Sequence, residues 1–463
     1  MSRFLFAVVG HVNKGKSSIV STLAEDDSVA IAREAGTTIE CREFPLRIDG
    51  RTLFTLIDTP GFEQARHALA WLREHESGAA GRPAAVRRFL EEHAATGRFP
   101  EECKLLRPIV DGAGILYVVD GSRPYSPEYE TEMEILAWTG QPRMALINRI
   151  SEADHSESWR AALDQYFSIV REFNAKQAGF EERLKLLRAF RELREDMSAE
   201  LDEAIAALNR ERERRLRESC RAIAAMLADM LSLTLVERAA GDPTESQREN
   251  LEKRFLEQLR LRERRCRDEI EDIYQHRRIE RQEENLALLD EDLFAESTWL
   301  RLGLSRNQLA VSGMISGGLI GGGIDAALSG ATFMTGALVG GAIGGVSAWL
   351  TADALAHTKI AGISLGGGQL KAGPVKNQQF PWIALDRALL HLNALRNRAH
   401  ACRDMLNLAA SSSDGIVRHW PRPVRQKIQT QINQLQKAHL VSGQFPYIEK
   451  MAIDLQNTIT ELE

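Results

Sequence analysis

An α/β domain on a doubly wound parallel sheet, followed by an all-α region of long helices and a glycine-rich helical hairpin, is the fold class this sequence predicts. Three observations carry it. Apolar strand signals alternate with helical stretches from Phe4 to about Phe180, the pattern of crossover units in a parallel sheet. From Phe180 to about Ser297 strand signals vanish and apolar residues recur every three or four positions. Twelve of the 34 glycines then fall between Val311 and Leu350.

The bulk numbers agree. At 463 residues the chain exceeds one ordinary core, and about 150 residues per domain gives about three domains. A hydrophobic share of 44% excludes a disordered chain. The net charge of −6 offers no basic excess, which argues against nucleic acid as a partner. The five cysteines form no CxxC pair, which argues against disulfide frameworks and zinc clusters and fits a reducing, cytoplasmic setting. The apolar run at the N-terminus is too short for a signal peptide and reads as a buried strand.

That strand, Phe4 to Val9, runs into Gly10-His-Val-Asn-Lys-Gly-Lys16-Ser17 and then a helical stretch, Ser18 to Ala24. The spacing is G-x-x-x-x-G-K-[ST], a phosphate-binding loop between strand and helix. Its glycines let backbone N–H groups converge on phosphate oxygens at a helix N-terminus. Lys16 is placed to reach the β- and γ-phosphates and Ser17 to ligate Mg²⁺. The nucleotide-binding residues expected here are Gly10, Asn13, Lys14, Gly15, Lys16, Ser17 and Ser18. A further strand signal, Arg42 to Ile48, precedes Leu53 to Ile57, which ends in Asp58-Thr-Pro-Gly61. Asp58 is expected as the second Mg²⁺ anchor, and Gly61 lets a backbone N–H approach the γ-phosphate.

With these motifs in place the chain resembles the Era/MnmE-type branch of P-loop GTPases. Gly36-Thr37-Thr38 matches that branch's switch I signature. The resemblance implies GTP and GDP as ligands, hydrolysis as the activity, and Lys16, Thr38 and Gly61 as the catalytic set. It implies Thr38 as a third Mg²⁺ ligand beside Ser17 and Asp58, and Asn13 as the residue that holds a K⁺ ion in potassium-activated members. Phe62 follows Gly61 where Ras-like proteins carry a water-positioning glutamine. Glu63, Gln64 and Arg66 are nearby, and nothing in the sequence selects among them. The branch's N-K-x-D base-reading motif corresponds to Asn148-Arg149-Ile150-Ser151 after the Met144–Ile147 strand signal, with Ser151 in the aspartate's place. A hydroxyl makes only part of that contact and carries no charge. Glu152 and Asp154 are the neighbouring carboxylates. Asn174-Ala175-Lys176, after the Ile169–Phe173 strand signal, corresponds to the S-A-K motif.

Gly114 to Asp120 is a continuous apolar run, as a buried parallel strand requires. Between it and Gly61, Ala65–His75 and Pro83–Ala95 read as helices of an enlarged switch II region, either a partner surface or a surface insertion. Beyond Phe180, Leu186, Phe190, Leu193, Met197, Leu201, Ile205 and Leu208 line one helix face. Thr244-Glu-Ser-Gln247 has capping-box spacing for a new helix running to about Leu289. Arg210–Arg221 and Arg260–Arg267 are arginine-rich, and their interleaved glutamates favour solvated, ion-paired faces.

Glycines at 313, 317 and 321, and at 336, 340 and 344, make smooth stripes for close helix approach. The 25 uncharged residues Ala326–Leu350 span ~37 Å as a helix. Asp325 falls at the turn, and Arg301, Arg306, His357 and Lys359 flank the open ends. A membrane or a membrane-protein partner is the expectation, against a tightly packed soluble hairpin. Helices are expected at Trp382–Leu408, Pro423–Leu440 and from Pro446 onward. The domain plan is therefore 1–180 GTPase-like, 181–308 long helices, 309–352 glycine hairpin and 353–463 C-terminal helices. Localisation at the cytoplasmic face of the inner membrane follows from the hairpin. Homodimerisation through the first domain or the helices stays open. The expected function is a GTP-driven switch on a helical effector. The rivals are a soluble Era-like factor in RNA or ribosome assembly and a non-hydrolysing nucleotide sensor.

Overall fold

The computed structural model describes residues 5–10, 15–25, 40–48, 50–151, 153–193, 198–239, 244–276, 359–360, 363–364, 368–375, 379–399, 402, 415–438 and 444–462. Asn13, Lys14, Gly36, Thr37, Thr38, Glu152 and the glycine hairpin lie outside the described residues. The chain divides into two compact units, the first centred on residues 1–213 and the second on 214–274 with most of the C-terminal part.

The first unit is built on a six-stranded sheet in the order β2-β3-β1-β4-β5-β6. The strands are β1 Leu5–Val9, β2 Arg42–Ile48, β3 Arg51–Asp58, β4 Gly114–Asp120, β5 Arg143–Asn148 and β6 Ile169–Glu172. Every pair is parallel except β2 with β3. The doubly wound parallel sheet expected from the sequence is there, with β2 as its one antiparallel strand. Only residues 49 and 50 join β2 to β3, and a parallel return needs a crossover of a dozen or more residues. Gly50, with φ 74°, makes the tight turn.

Side chains alternate across the sheet, as the pleat demands. Ala7, Val9, Ile115, Tyr117, Val119, Ala145 and Ile147 face one core; Phe6, Val8, Leu56, Leu116, Val118, Met144 and Leu146 face the other. The second core is closed by α1 (Lys16–Ala24), α7 (Phe180–Leu193) and the start of α8 (Ser198–Ser232), through Ile19, Leu186, Phe190, Leu201 and Leu208. The apolar residues predicted after Phe180 to line one helix face are divided between α7 and α8; Leu186 and Phe190 on the first and Leu201 and Leu208 on the second cover the sheet, and Met197 lies outside the described residues. The first core takes α2 (Ala65–Glu74), α3 (Arg82–His93), α4 (Pro100–Val110), α5 (Glu128–Trp138) and α6 (Ser156–Leu163).

Helix α4 is not among the elements expected from the sequence. Its start is nevertheless written there: Pro100 at the first position, then Glu101 and Glu102 in the first turn, where a helix N-terminus favours negative charge. Nor is the span between β3 and β4 a surface appendage. Leu72, Phe89, Phe99, Leu105, Leu106 and Ile109 are all buried in the sheet's own core. Each such side chain stabilises by about 1.5–3 kcal/mol when buried.

His93, the last residue of α3, is buried, and its ring packs edge-on against Trp71, Phe89 and Phe99. Neither ring nitrogen has a hydrogen-bond partner among the described residues. Burial first, and Arg98 second, hold its pKa below the ordinary 6.5. The folded protein resists a proton that the unfolded chain accepts, so this group's contribution to stability falls as pH drops below 6.5. Thermal unfolding midpoints are expected to decline from pH 7 to pH 5. His93→Phe, which keeps the ring and sacrifices no hydrogen bond, is expected to flatten that decline; an unchanged slope would refute the assignment.

In the second unit α9 (Glu245–Ile273) opens with the predicted capping box. Gln247 N–H donates to Thr244 Oγ1 at 3.3 Å, and Gln247 Oε1 accepts from the Thr244 N–H at 2.9 Å. The helix is capped by Tyr274, well before the expected Leu289, because Gln275 turns left-handed with φ 60°. A strand interrupts the region predicted to be wholly helical. β7 (Leu235–Ala239) pairs antiparallel with β10 (Gly368–Ala372), beyond the two-residue strands β8 (Lys359–Ile360) and β9 (Ile363–Ser364). So short a strand carries too little pattern to be read locally, and its partner lies far along the chain, beyond α9. Helices α10 (Phe380–Arg396), α11 (Arg422–Ala438) and α12 (Phe445–Glu461) complete the unit. The arginine-rich stretches are ion-paired, through Arg214–Glu218 at 2.8 Å, Arg221–Glu449 at 2.7 Å and Arg262–Asp229 at 3.5 Å. No helix among the described residues is long and apolar enough to cross a membrane.

Candidate functional site

The strand order reverses beside β1, and in open α/β sheets ligands sit at such a switch point, outside the strand C-termini. The register brings the ends of four strands together there. Val8 lies opposite Asp58, Val9 opposite Tyr117, and Asp120 opposite Asn148.

Gly10 leaves β1 with φ 151°, and a Cβ at that position would collide with the Val118 carbonyl of β4. Only glycine lets the loop start so close to the sheet. Gly15 caps α1 in the left-handed region with φ 85°. Lys16, the first residue of α1, is buried, and its Nζ donates to the Gly10 carbonyl at 2.8 Å. Burial lowers its pKa, and the nearby Asp58 carboxylate opposes that shift. A phosphate oxygen is a charged, stronger acceptor than a carbonyl. The adjacent Ser17 Oγ donates to Asp58 Oδ2 at 3.0 Å, and Asp58 is buried at the end of β3. A hydroxyl and a buried carboxylate side by side are oxygen donors that suit a hard divalent cation. Thr59 Oγ1 donates to the Val8 carbonyl at 2.8 Å and ties the start of the Asp58–Gly61 segment to β1.

The other predicted motifs meet on the far side of the loop. The Asn148 amide packs against Gly15, where any Cβ would collide with its Nδ2. Asn148 Oδ1 accepts from the Ala175 N–H at 3.3 Å. Ala175 in turn gives its carbonyl to Thr22 Oγ1 of α1 at 2.7 Å, and Asn174 Oδ1 accepts from the Lys176 N–H at 3.0 Å. Gly10, Gly15, Lys16, Ser17, Asp58, Asn148 and the 174–176 turn are thus assembled in one place. Ser151 is exposed in the loop after β5. The Asp154 carboxylate is engaged locally, by Arg149 at 3.3 Å and by the Ser156 N–H at 2.9 Å. Phe62 is buried in the core below the sheet, while the side chains of Glu63, Gln64 and Arg66 are exposed.

Thr59 and Asp120 join the site without a role expected of them from the sequence. Asp120 ends β4 and turns the next loop by accepting the Ser122 N–H at 3.0 Å. An aspartate closing an apolar strand signals that position; the Thr59 contact has no local signal.

A family model described as 50S ribosome-binding GTPase (MMR_HSR1) matches residues 5–149, and one described as Domain of unknown function (DUF3482) matches residues 160–450. Over 65 residues the chain is 43% identical to GTPase Der of Rhodopirellula baltica, a stretch covering 14% of each protein. It is 38% identical over 61 residues to tRNA modification GTPase MnmE of Mycoplasma mobile, covering 13% of this chain and 14% of that one. The match therefore spans about one seventh of these relatives' length. Among solved structures, Aquifex aeolicus Era bound to GDP·AlF4− is 15% identical with a TM-score of 0.27, covering 59% of this chain and 90% of that one. Era in complex with MgGDPNP and nucleotides 1506–1542 of 16S ribosomal RNA gives 16% and 0.29 over the same shares.

Proposed function

Since the chain belongs to the family described as Domain of unknown function (DUF3482), with a P-loop GTPase domain ahead of that segment, we propose that it hydrolyses GTP to drive a helical, membrane-associated effector. The observation that carries this reading is the trio at the switch point: buried Lys16 and half-buried Ser17 at the start of α1, with Ser17 paired at 3.0 Å to Asp58, buried at the end of β3. Lys16 binds and orients the β- and γ-phosphates. Ser17 and Asp58, with Thr38, hold Mg²⁺, which when bound neutralises phosphate charge. The Gly61 N–H fixes the γ-phosphate, and Asn13 holds K⁺. Asn148, Arg149 and the 174–176 turn bound the base pocket. The effector comprises 181–308 and 353–463, and 309–352 carries the membrane contact on the strength of its uncharged length and cationic flanks.

Ser151 sets the base selectivity expected. A serine in place of a carboxylate forfeits a charge-assisted contact with the guanine edge. The parent is expected to prefer GTP over ATP by less than about tenfold, and Ser151→Asp to widen the preference by about tenfold or more, since about 1.4 kcal/mol is a factor of ten. Competition titrations with both nucleotides decide it. Turnover with K⁺ and with Na⁺ tests Asn13: equal rates remove the potassium role. Fractionation of the chain with and without residues 309–352, followed by alkaline carbonate, tests the membrane role. Tight binding with no turnover under any of these conditions refutes hydrolysis, and co-sedimentation with ribosomes but not lipid favours the soluble reading suggested by the ribosome-binding family description.

A further inference from the structure

Helix α4 reaches the segment that follows Gly61. Glu102, in its first turn, is fully buried, and its Oε1 accepts two backbone N–H groups, from Glu63 at 2.8 Å and Gln64 at 2.5 Å. Those residues immediately precede α2, so the carboxylate sits at the N-termini of two helices, its own and α2, which offsets the charge of burial. Its Oε2 accepts no hydrogen bond among the described residues. A buried carboxylate with one idle oxygen is not an economical way to cap a helix, since an exposed Ser or Asp at the cap position would do the same. Its position gives it another use. Upstream of Gly61, Thr59 is tied to β1. Downstream, Phe62 is sunk in the core and residues 63 and 64 are tied to Glu102. Gly61 is thus held between two fixed points.

We propose that Glu102 is a positioning residue of switch II: by fixing the backbone at 63–64 it places Gly61 and the exposed Glu63 and Gln64 side chains for hydrolysis. This rests on the reading of the domain as a GTP hydrolase. Preorganised donors act where charge develops and lose their effect when displaced, and a shift of about 1 Å can lower a rate by about a hundredfold.

The test uses the full chain with Mg²⁺ and GTP. Glu102→Ala is expected to lower the single-turnover rate by about 10- to 100-fold while nucleotide Kd stays at the parent value. Amide hydrogen exchange at Glu63 and Gln64 is expected to accelerate in that variant with a non-hydrolysable GTP analogue bound. Glu102→Gln keeps an acceptor oxygen and is expected to restore the protection and most of the rate. Glu102→Asp keeps the charge but withdraws the oxygen, and is expected to behave like alanine should that variant fail to fold. Glu101→Gln, which removes only the charge of the part-buried pair with Lys104, is the control and stays at the parent rate. A parent-like rate in Glu102→Ala overturns the proposal. So does a parallel loss of rate and affinity in all three Glu102 variants, the signature of a folding defect. A parent that binds GTP without turning it over overturns the hydrolysis reading instead; unchanged exchange at 63–64 in the nucleotide-bound Glu102→Ala protein then overturns Glu102's hold on switch II separately.

Discussion

Lys16→Met is expected to weaken GTP binding by about a hundredfold or more while leaving the fold intact. Methionine keeps the buried stem and removes only the ammonium. The wild-type ammonium is buried, close enough to Asp58 for that carboxylate to favour its charged form, and already bonded to the loop carbonyl of Gly10. Hydrogen bonds to a charged group are worth about 1.5–3 kcal/mol each. Lys16 is placed to make two with the β- and γ-phosphates, and a loss of about 1.4 kcal/mol is a tenfold change in Kd. Titration with a fluorescent GTP analogue measures the change, and circular dichroism verifies the fold. Parent-like affinity in this variant would remove the loop from the nucleotide site altogether.

The second large effect belongs to the helical unit. Arg387 of α10 and Glu263 of α9 form an ion pair at 2.6 Å with side chains only 1% and 4% exposed. Breaking such a pair leaves a charge buried without its partner, which costs about 3–5 kcal/mol, whereas replacing both residues by apolar ones of similar volume is near neutral. Arg387→Ala or Glu263→Ala is therefore expected to lower the unit's unfolding midpoint by roughly 10 °C, at about 2–4 °C per kcal/mol for a unit of this size. The double variant Arg387→Met with Glu263→Met is expected to recover most of the loss. A double variant as unstable as the singles would show that the two charges do not depend on one another.

Residue spacing alone went far in the first unit. The glycine–lysine–serine loop, the strand signals that became β1 to β6, and Asp58 and Asn148 at strand ends were legible because each is a short-range pattern. The capping box of α9 is another: Thr244 and Gln247 are three residues apart and satisfy one another.

What escaped the sequence has a common cause. Whether β2 runs parallel or antiparallel depends on the link of residues 49–50, and β7 depends on β10, on the far side of α9 in the chain. Glu102 lies in α4, a helix not among the elements expected from the sequence. Only the packing of α4 aims its carboxylate at the amides of Glu63 and Gln64. Glu263 falls in a stretch that reads as a solvated, ion-paired face, yet it and its partner Arg387 are buried. Local periodicity and motif spacing determine which segments become strands, helices and a phosphate loop. Which distant groups meet, and so which charges are buried and which backbone is held still, was decided only by the tertiary structure. Those pairings depend on contacts across long sequence separations that no window of neighbouring residues contains.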